Sequence, residues 1–216
     1  MAMSNSIEPI LRPIAIADLR PTQMTVGMYE VEQKRKDWRN RATRDGGRFL
    51  GEHMIPAVMG PAKTHWLIDH HHLARALYEE GVEHVLVSIV ARLDHLPKKR
   101  FFAFMDCHNW LHPYDSHGRR CDWKDLPRNV GKLVDDPYRS LAGEVRQAGG
   151  FAKTSTPYSE FLWADFFRDR ISAGQIVKNL EKAVAKAIRC ARSRDASHLP
   201  GFSGQEHGAS AKEQSD

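Results

Sequence analysis

Trp66-Leu67-Ile68-Asp69-His70-His71-His72-Leu73-Ala74-Arg75-Ala76-Leu77 is an apolar run that ends in one carboxylate and three imidazoles and then turns helical. The first turn of a helix presents unpaired N–H groups and the positive end of its dipole, so the junction has the outline of an anion site. Asp69 suits a cap or a cation ligand, and the histidines suit hydrogen bonding or proton movement near neutral pH. Leu73, Ala76 and Leu77 give the helix an apolar face, and Gly81 suits its C-terminal cap. His84 to Ala91, β-branched and apolar but for Ser88, reads as a strand. A strand, helix, strand unit therefore frames the histidine triplet.

On the N-terminal side, Pro13 to Leu19 reads as a strand leading into the loop Arg20-Pro21-Thr22-Gln23. A helix follows from Val26 to about Arg41, with Val31 and Trp38 on its buried face, and Arg44-Asp45-Gly46-Gly47-Arg48 reads as a turn. Met54 to Met59 and His65 to Ile68 read as two strands joined through Gly60-Pro61-Ala62-Lys63. Beyond Leu96 the texture becomes helical, which places a subdomain boundary there. Helices are expected over Phe101 to Trp110, from Pro137, over Tyr158 to Ile171, and from Ala173 to Arg194. The last carries an apolar stripe of Val177, Leu180, Val184, Ile188 and Ala191.

The chain has 216 residues, 41% of them hydrophobic, enough for one large domain or two small ones. No stretch approaches the roughly 18 apolar residues of a membrane span, and the N-terminus lacks a basic segment followed by an apolar one, so a cytoplasmic location is expected. Three cysteines, Cys107, Cys121 and Cys190, do not make a disulfide framework. With 32 basic and 27 acidic residues the net charge is +5, which favours anionic partners such as a nucleotide or a nucleic acid.

Helical spacing puts His71 and Arg75 on one face, where both can meet a single anion, while His72 projects about 100° away. One imidazole can then act as acid or base while Arg75 neutralises phosphate charge. The alternative is an ordinary cap with surface histidines. Glu30 and Lys34 at i and i+4 read either as a solvated pair or, if Glu30 faces the Asp69 junction, as a general base or metal-binding carboxylate. Asp69 with Glu30 and a nucleotide phosphate would hold Mg²⁺ through waters. Cys107, His108, His112, His117 and Cys121 superficially resemble a zinc set, but their spacing favours a plain loop. Lys178, Lys182, Lys186, Arg189 and Arg192 line the terminal helix, either as a solvated face or as contacts to DNA phosphates. The dense aromatics Tyr158, Phe161, Trp163, Phe166 and Phe167, with Leu162, read as core between helices.

Asp69-His70-His71-His72 resembles the D-G-H-H-R and G-x-H-R type motifs of the ParB/sulfiredoxin fold, and residues 9 to 202 resemble the ParB-like nuclease family of small bacterial proteins. The closer likeness is carried by Arg20-Pro21-Thr22-Gln23, Val26-Gly27, Glu30-Val31 with Lys34, Leu73-Ala74-Arg75-Ala76, Asp136-Pro137-Tyr138-Arg139-Ser140-Leu141-Ala142-Gly143, and Glu160-Phe161-Leu162-Trp163-Ala164-Asp165-Phe166-Phe167. The resemblance implies an α+β ParB/sulfiredoxin-like domain at residues 9–96 and a C-terminal helical extension at 97–202, with tails at 1–8 and 203–216, the latter disordered. That superfamily includes CTP-hydrolysing partition proteins, ATP-dependent sulfiredoxins and ADP-dependent serine kinases. Asp69, His71 and His72 match its D-x-H-H frame, and Glu30 stands where kinase-like relatives keep a catalytic carboxylate. His70 stands for the usual glycine and Leu73 for the usual arginine. His71 occupies the sulfiredoxin thiol position, which argues against sulfinic-acid repair.

The implied activity is nucleotide-dependent phosphoryl transfer, or phosphoanhydride or phosphodiester hydrolysis, including that of a nuclease. Its expected catalytic residues are Glu30, Asp69, His71 and His72. Its expected phosphate ligands are His70, Arg75, Gln23 and Lys34. Mg²⁺ at Asp69 and Glu30, and ATP, ADP or CTP as nucleotide, complete the expectation. The alternative is a non-enzymatic DNA-binding or nucleotide-gated partition-type module that uses the basic terminal helix.

Overall fold

The structure, a computed structural model, describes residues 11–204; the tail expected at 1–8 and all but the first two residues of that at 203–216 lie outside them. The chain forms two compact units that divide between Asp136 and Pro137.

In the first unit, β1 (Leu11–Ala15), β2 (Arg20–Pro21), β4 (Ile55–Gly60), β5 (Thr64–Leu67) and β6 (His84–Arg92) make one mixed sheet, in the order β1-β6-β4-β5-β2. The β4–β6 and β2–β5 pairs are parallel, and β1–β6 and β4–β5 antiparallel. A second, two-stranded parallel sheet joins β3 (Thr25–Val26) to β7 (Val134–Asp135). The expected strand at 13–19 is shorter than foreseen: after Ala15 a 3₁₀ turn takes over Ile16–Asp18.

Neighbouring residues of a strand point to opposite faces, and β4 and β5 bury both. Ile55, Ala57 and Leu67 pack with Val31 and Phe49 of α1 (Met28–Glu52) and with Leu73, Ala74 and Leu77 of α2 (His71–Glu79). Val58, Trp66 and Ile68 pack instead with Phe101, Phe102 and Met105 of α3 (Lys98–Cys107). Phe101 to Leu126 therefore cover the second face of the sheet, Val130 and Leu133 return to the α1–α2 side, and both stretches belong to the first unit, so the structure divides well beyond the boundary expected near Leu96.

The turn expected at Arg44 to Arg48 is a kink inside α1. Asp45 leaves helical geometry (φ −148°, ψ 30°) and the helix resumes after it. Two glycines loosen the backbone here, but Arg41 bridges the bend to Asp45 (3.1 Å) and Glu52 (3.0 Å), and Trp38 meets Phe49 edge-on. At the far end of the pair, Glu80 accepts from Arg35 and Arg39 and locks α1 to the end of α2. Those two guanidinium groups, Arg39 first, hold the Glu80 carboxyl down at about 2.

The second unit holds α4 (Pro137–Gln147), α5 (Ser159–Arg168), α6 (Ala173–Lys178) and α7 (Leu180–Ala191). Its core contains Trp163, Phe166 and Phe167 as expected, with Leu141, Val145 and Phe151; Phe161 is also buried, under the Arg139 guanidinium, while Leu162 is exposed. The single terminal helix expected from Ala173 to Arg194 is two. Asn179 adopts extended geometry (φ −160°, ψ 94°) and its side chain accepts from Lys182 N at 2.8 Å, as a helix-starting asparagine does. Val177 consequently leaves the expected stripe and is 78% exposed, whereas Ala183 and Ala187 take buried positions in it. Lys178 is separated from Lys182 and Lys186 by the same break, and Lys186 reaches Gln175.

Among the described residues no helix is long and apolar enough to cross a membrane.

Candidate functional site

The chain enters α2 through His70, which stands in the left-handed region (φ 62°, ψ 28°). A non-glycine residue pays roughly 1–2 kcal/mol for that conformation, and strain of this kind gathers at functional positions. A glycine at this point would adopt it freely. Asp69 does not cap the helix. Its Oδ1 accepts from the adjacent His70 N at 2.6 Å, and no side chain caps the first turn of α2.

His71, expected to meet an anion, is turned into the fold at 3% exposure. Its Nε2 accepts from the Thr22 amide at 3.2 Å, and the Thr22 hydroxyl donates to Leu67 O at 2.8 Å. The loop after β2 is thereby pinned to the β5–α2 junction. Arg75, also expected to meet an anion, is engaged by protein groups. Its Nε donates to Glu79 (2.8 Å) and its Nη1 to Leu133 O (2.6 Å), which uses the guanidinium to hold α2 against the segment before β7.

His72 and Glu30 do come together. His72 Nε2 accepts from the Gly27 amide at 2.9 Å, and its Nδ1 lies 3.5 Å from Glu30 Oε2. A ring nitrogen that accepts from a backbone N–H carries no proton, so the neutral ring holds its proton on Nδ1, facing Glu30. His72 is therefore placed to orient the carboxylate. Lys34 lies 3.5 Å from the other Glu30 oxygen.

Gly27 is the N-terminal flanking residue of α1, and His72 lies in the first turn of α2. The hydrogen bond between them brings two helix amino ends to one place, which concentrates positive potential around Glu30. Asp135 occupies part of that field, its Oδ1 accepting from Met28 N at 2.9 Å. Partial desolvation, with the Asp136 carboxylate next in sequence, pushes the Asp135 carboxyl up. Gln23 is 8% exposed, and its Oε1 has no partner among the described residues. Beside this centre lies a cavity of about 340 Å³ whose lining includes Lys34, Asn40, Phe49, His53 and Leu73.

Among the described residues no three His, Cys, Asp or Glu side chains are gathered to hold a metal ion. Asp69 and Glu30, the expected Mg²⁺ ligands, are each engaged with neighbours of their own. In the loop after α3, His108 stacks on Phe104, His112 on Tyr114, and Asp115 gathers the amides of His117 and Arg119.

Thr22, Gly27 and Asp135 are the members of the site that residue chemistry did not single out. Gly27 acts through its amide, and Asp135 arrives from a segment distant in sequence, so only the motif stretches Arg20 to Gln23 and Val26-Gly27 hinted at this corner.

No match is found among functionally curated proteins. Among solved structures, the protein Atu1540 from Agrobacterium tumefaciens is 52% identical, with a TM-score of 0.87 over 93% of this chain and 100% of that one. The family model described as Putative ParB-like nuclease matches residues 12–169, a span that includes the α1–α2 corner with Glu30 and the histidine triplet. The chain belongs to the ParB-like nuclease family.

Proposed function

We propose that the chain binds the phosphates of a nucleotide where the amino ends of α1 and α2 meet and catalyses their transfer or hydrolysis. The observation that carries this reading is the Gly27–His72–Glu30 chain, which holds a carboxylate beside an oriented imidazole at two helix amino ends. Helix amino ends favour phosphate and stabilise charge that develops on its oxygens. Glu30 is the general base toward a hydroxyl or water, His72 keeps its orientation, and Lys34 supplies positive charge beside it. The cavity next to Lys34 and Leu73 has room for the nucleoside portion. Among the described residues no cluster is gathered for a metal ion, so Mg²⁺ would enter on the nucleotide's own phosphates, and no step is assigned to it.

The test is a melting curve with ATP, ADP or CTP, with and without Mg²⁺, followed by phosphate release and by incubation with plasmid. A ligand that binds only the folded state raises the melting temperature. Loss of a general base costs about 10²- to 10⁴-fold in rate, so Glu30→Gln is expected to fall in that range while the unliganded melt is kept. An unshifted melt with every nucleotide, or full activity in Glu30→Gln, overturns the reading.

A further inference from the structure

The strand β5 has the histidine triplet beyond its end and a second cleft at its start. The cleft, of about 430 Å³, has a lining that includes Arg20, Lys63, His65, His84, Arg128 and one carboxylate, Asp18. It shares no residue with the Gly27–His72–Glu30 centre and does not depend on the function proposed there. Elsewhere in the same unit the guanidinium groups on α1 and α2 are used internally: Arg35 and Arg39 on Glu80, Arg41 on Asp45 and Glu52, Arg75 on Glu79. Arg20, Lys63 and Arg128 differ. Among the described residues none of the three has an ion-pair partner, although Asp18 lines the same cleft.

Folding brings these cations together from separate parts of the chain: Arg20 from β2, Lys63 from the β4–β5 turn, and Arg128 from the segment after α3. Lys63 and the preceding Ala62 both stand at φ 58°, a region that residues other than glycine enter under strain, and the Thr64 hydroxyl pins their turn by donating to Pro61 O at 2.6 Å. Like charges held near one another repel, and where no protein group relieves the repulsion a bound anion does. Three cations against one carboxylate leave the cleft at +2 with both imidazoles neutral, so a dianion neutralises it.

The shape of that dianion follows from where the charges stand. A cavity of this size belongs to the small-molecule range. Cations on three different elements meet negative charge best when it is spread over more than one group of the ligand. A carboxylate suits a guanidinium, since its two oxygens take two parallel N–H···O bonds, and the Asp18 carboxylate is an acceptor for a ligand hydroxyl. We infer that this cleft binds a small hydroxylated dicarboxylate, its carboxylates held by Arg20, Lys63 and Arg128 and its hydroxyl by Asp18. Phosphate, which gathers the same charge on one centre, is the competing ligand.

The experiment is calorimetric titration of the full chain with malate, with succinate and with inorganic phosphate in one low-salt buffer, with melting curves for the same three ligands. Malate is expected to bind most tightly, succinate more weakly for want of the hydroxyl, and phosphate most weakly. Lys63→Gln and Arg128→Gln, both at exposed positions, should each weaken malate about tenfold, the effect of losing a hydrogen bond to a charged group, and either one decides the matter if the other does not fold. Lys63→Arg should retain binding, and Asp18→Ala should bind malate and succinate alike. Lys178→Gln, in the second unit, should titrate as the native chain does. Malate that neither releases heat nor raises the melting temperature, phosphate that binds as tightly as malate, unchanged malate affinity in Lys63→Gln and Arg128→Gln, or a malate preference that survives in Asp18→Ala, each overturns the inference.

Discussion

The imidazole of His72 and the amide of Gly27, 45 residues apart, are joined by a 2.9 Å hydrogen bond in which the ring nitrogen accepts. This bond ties the first turn of α2 to the start of α1 and sets which nitrogen of His72 faces Glu30. Removing it has two separable consequences. His72→Ala leaves a half-buried amide without its acceptor, a loss of about 1–3 kcal/mol, to be read from chemical denaturation of the unliganded protein. It should also reduce nucleotide hydrolysis, since Glu30 loses the group that orients it. Unchanged stability would mean that water replaces the ring without cost.

Arg75→Ala separates structure from binding. Its guanidinium is engaged by Glu79 and by the Leu133 carbonyl, so the variant should lose about 1–2 kcal/mol of stability through the orphaned carbonyl and lost ion pair. The nucleotide-induced rise in melting temperature should persist. A variant that melts normally but no longer responds to nucleotide would restore Arg75 to the anion site.

Glu80 supplies a pH-dependent contribution of known sign. Its carboxyl is held at about 2 in the fold against an ordinary value of 4.5, by Arg39 and then Arg35. A depressed folded value means that the stabilisation is complete above about 4.5 and disappears as pH falls through about 2. Glu80→Gln should therefore be less stable than the native chain by about 1 kcal/mol at neutral pH. The difference should shrink as the denaturation series is carried into acid, and a gap that is constant with pH would place the loss in packing instead of charge.

Gly60→Ala tests the second face of the sheet. A methyl group at Gly60 would stand 2.7 Å from Phe101 Cζ and 2.8 Å from the Trp66 ring, closer than carbon atoms approach. Overpacking of this kind costs about 1–3 kcal/mol. The backbone at Gly60 (φ −103°) suits alanine, so the expected drop in melting temperature reports crowding between β4 and α3. A neutral substitution would show that α3 yields easily.

Much of the fold around the histidine triplet was legible in the order of residues. The β-branched run from His84, the turn at Gly60 to Lys63 and the apolar spacing of Leu73, Ala76 and Leu77 are local patterns, and the strands and helix they predict stand where expected. The kink at Asp45 and the break at Asn179 were less so. A Gly-Gly pair reads equally as a turn or a bend until Arg41 bridges it, and an asparagine between two apolar stretches starts a new helix only when its side chain caps the next amide.

Residue order by itself determined that a run of apolar residues meets Asp69 and three histidines at the start of a helix, and placed Glu30 and Lys34 one helical turn apart. Tertiary structure alone decided what each does: His71 turns inward to Thr22, Arg75 is taken by Glu79 and Leu133, and His72 joins Gly27 and Glu30. The physical reason is range. Strand and helix periodicity is set by neighbours a few residues away, whereas a hydrogen-bond partner is chosen by how α1, α2 and the sheet pack, across 45 residues for His72 and 49 for His71.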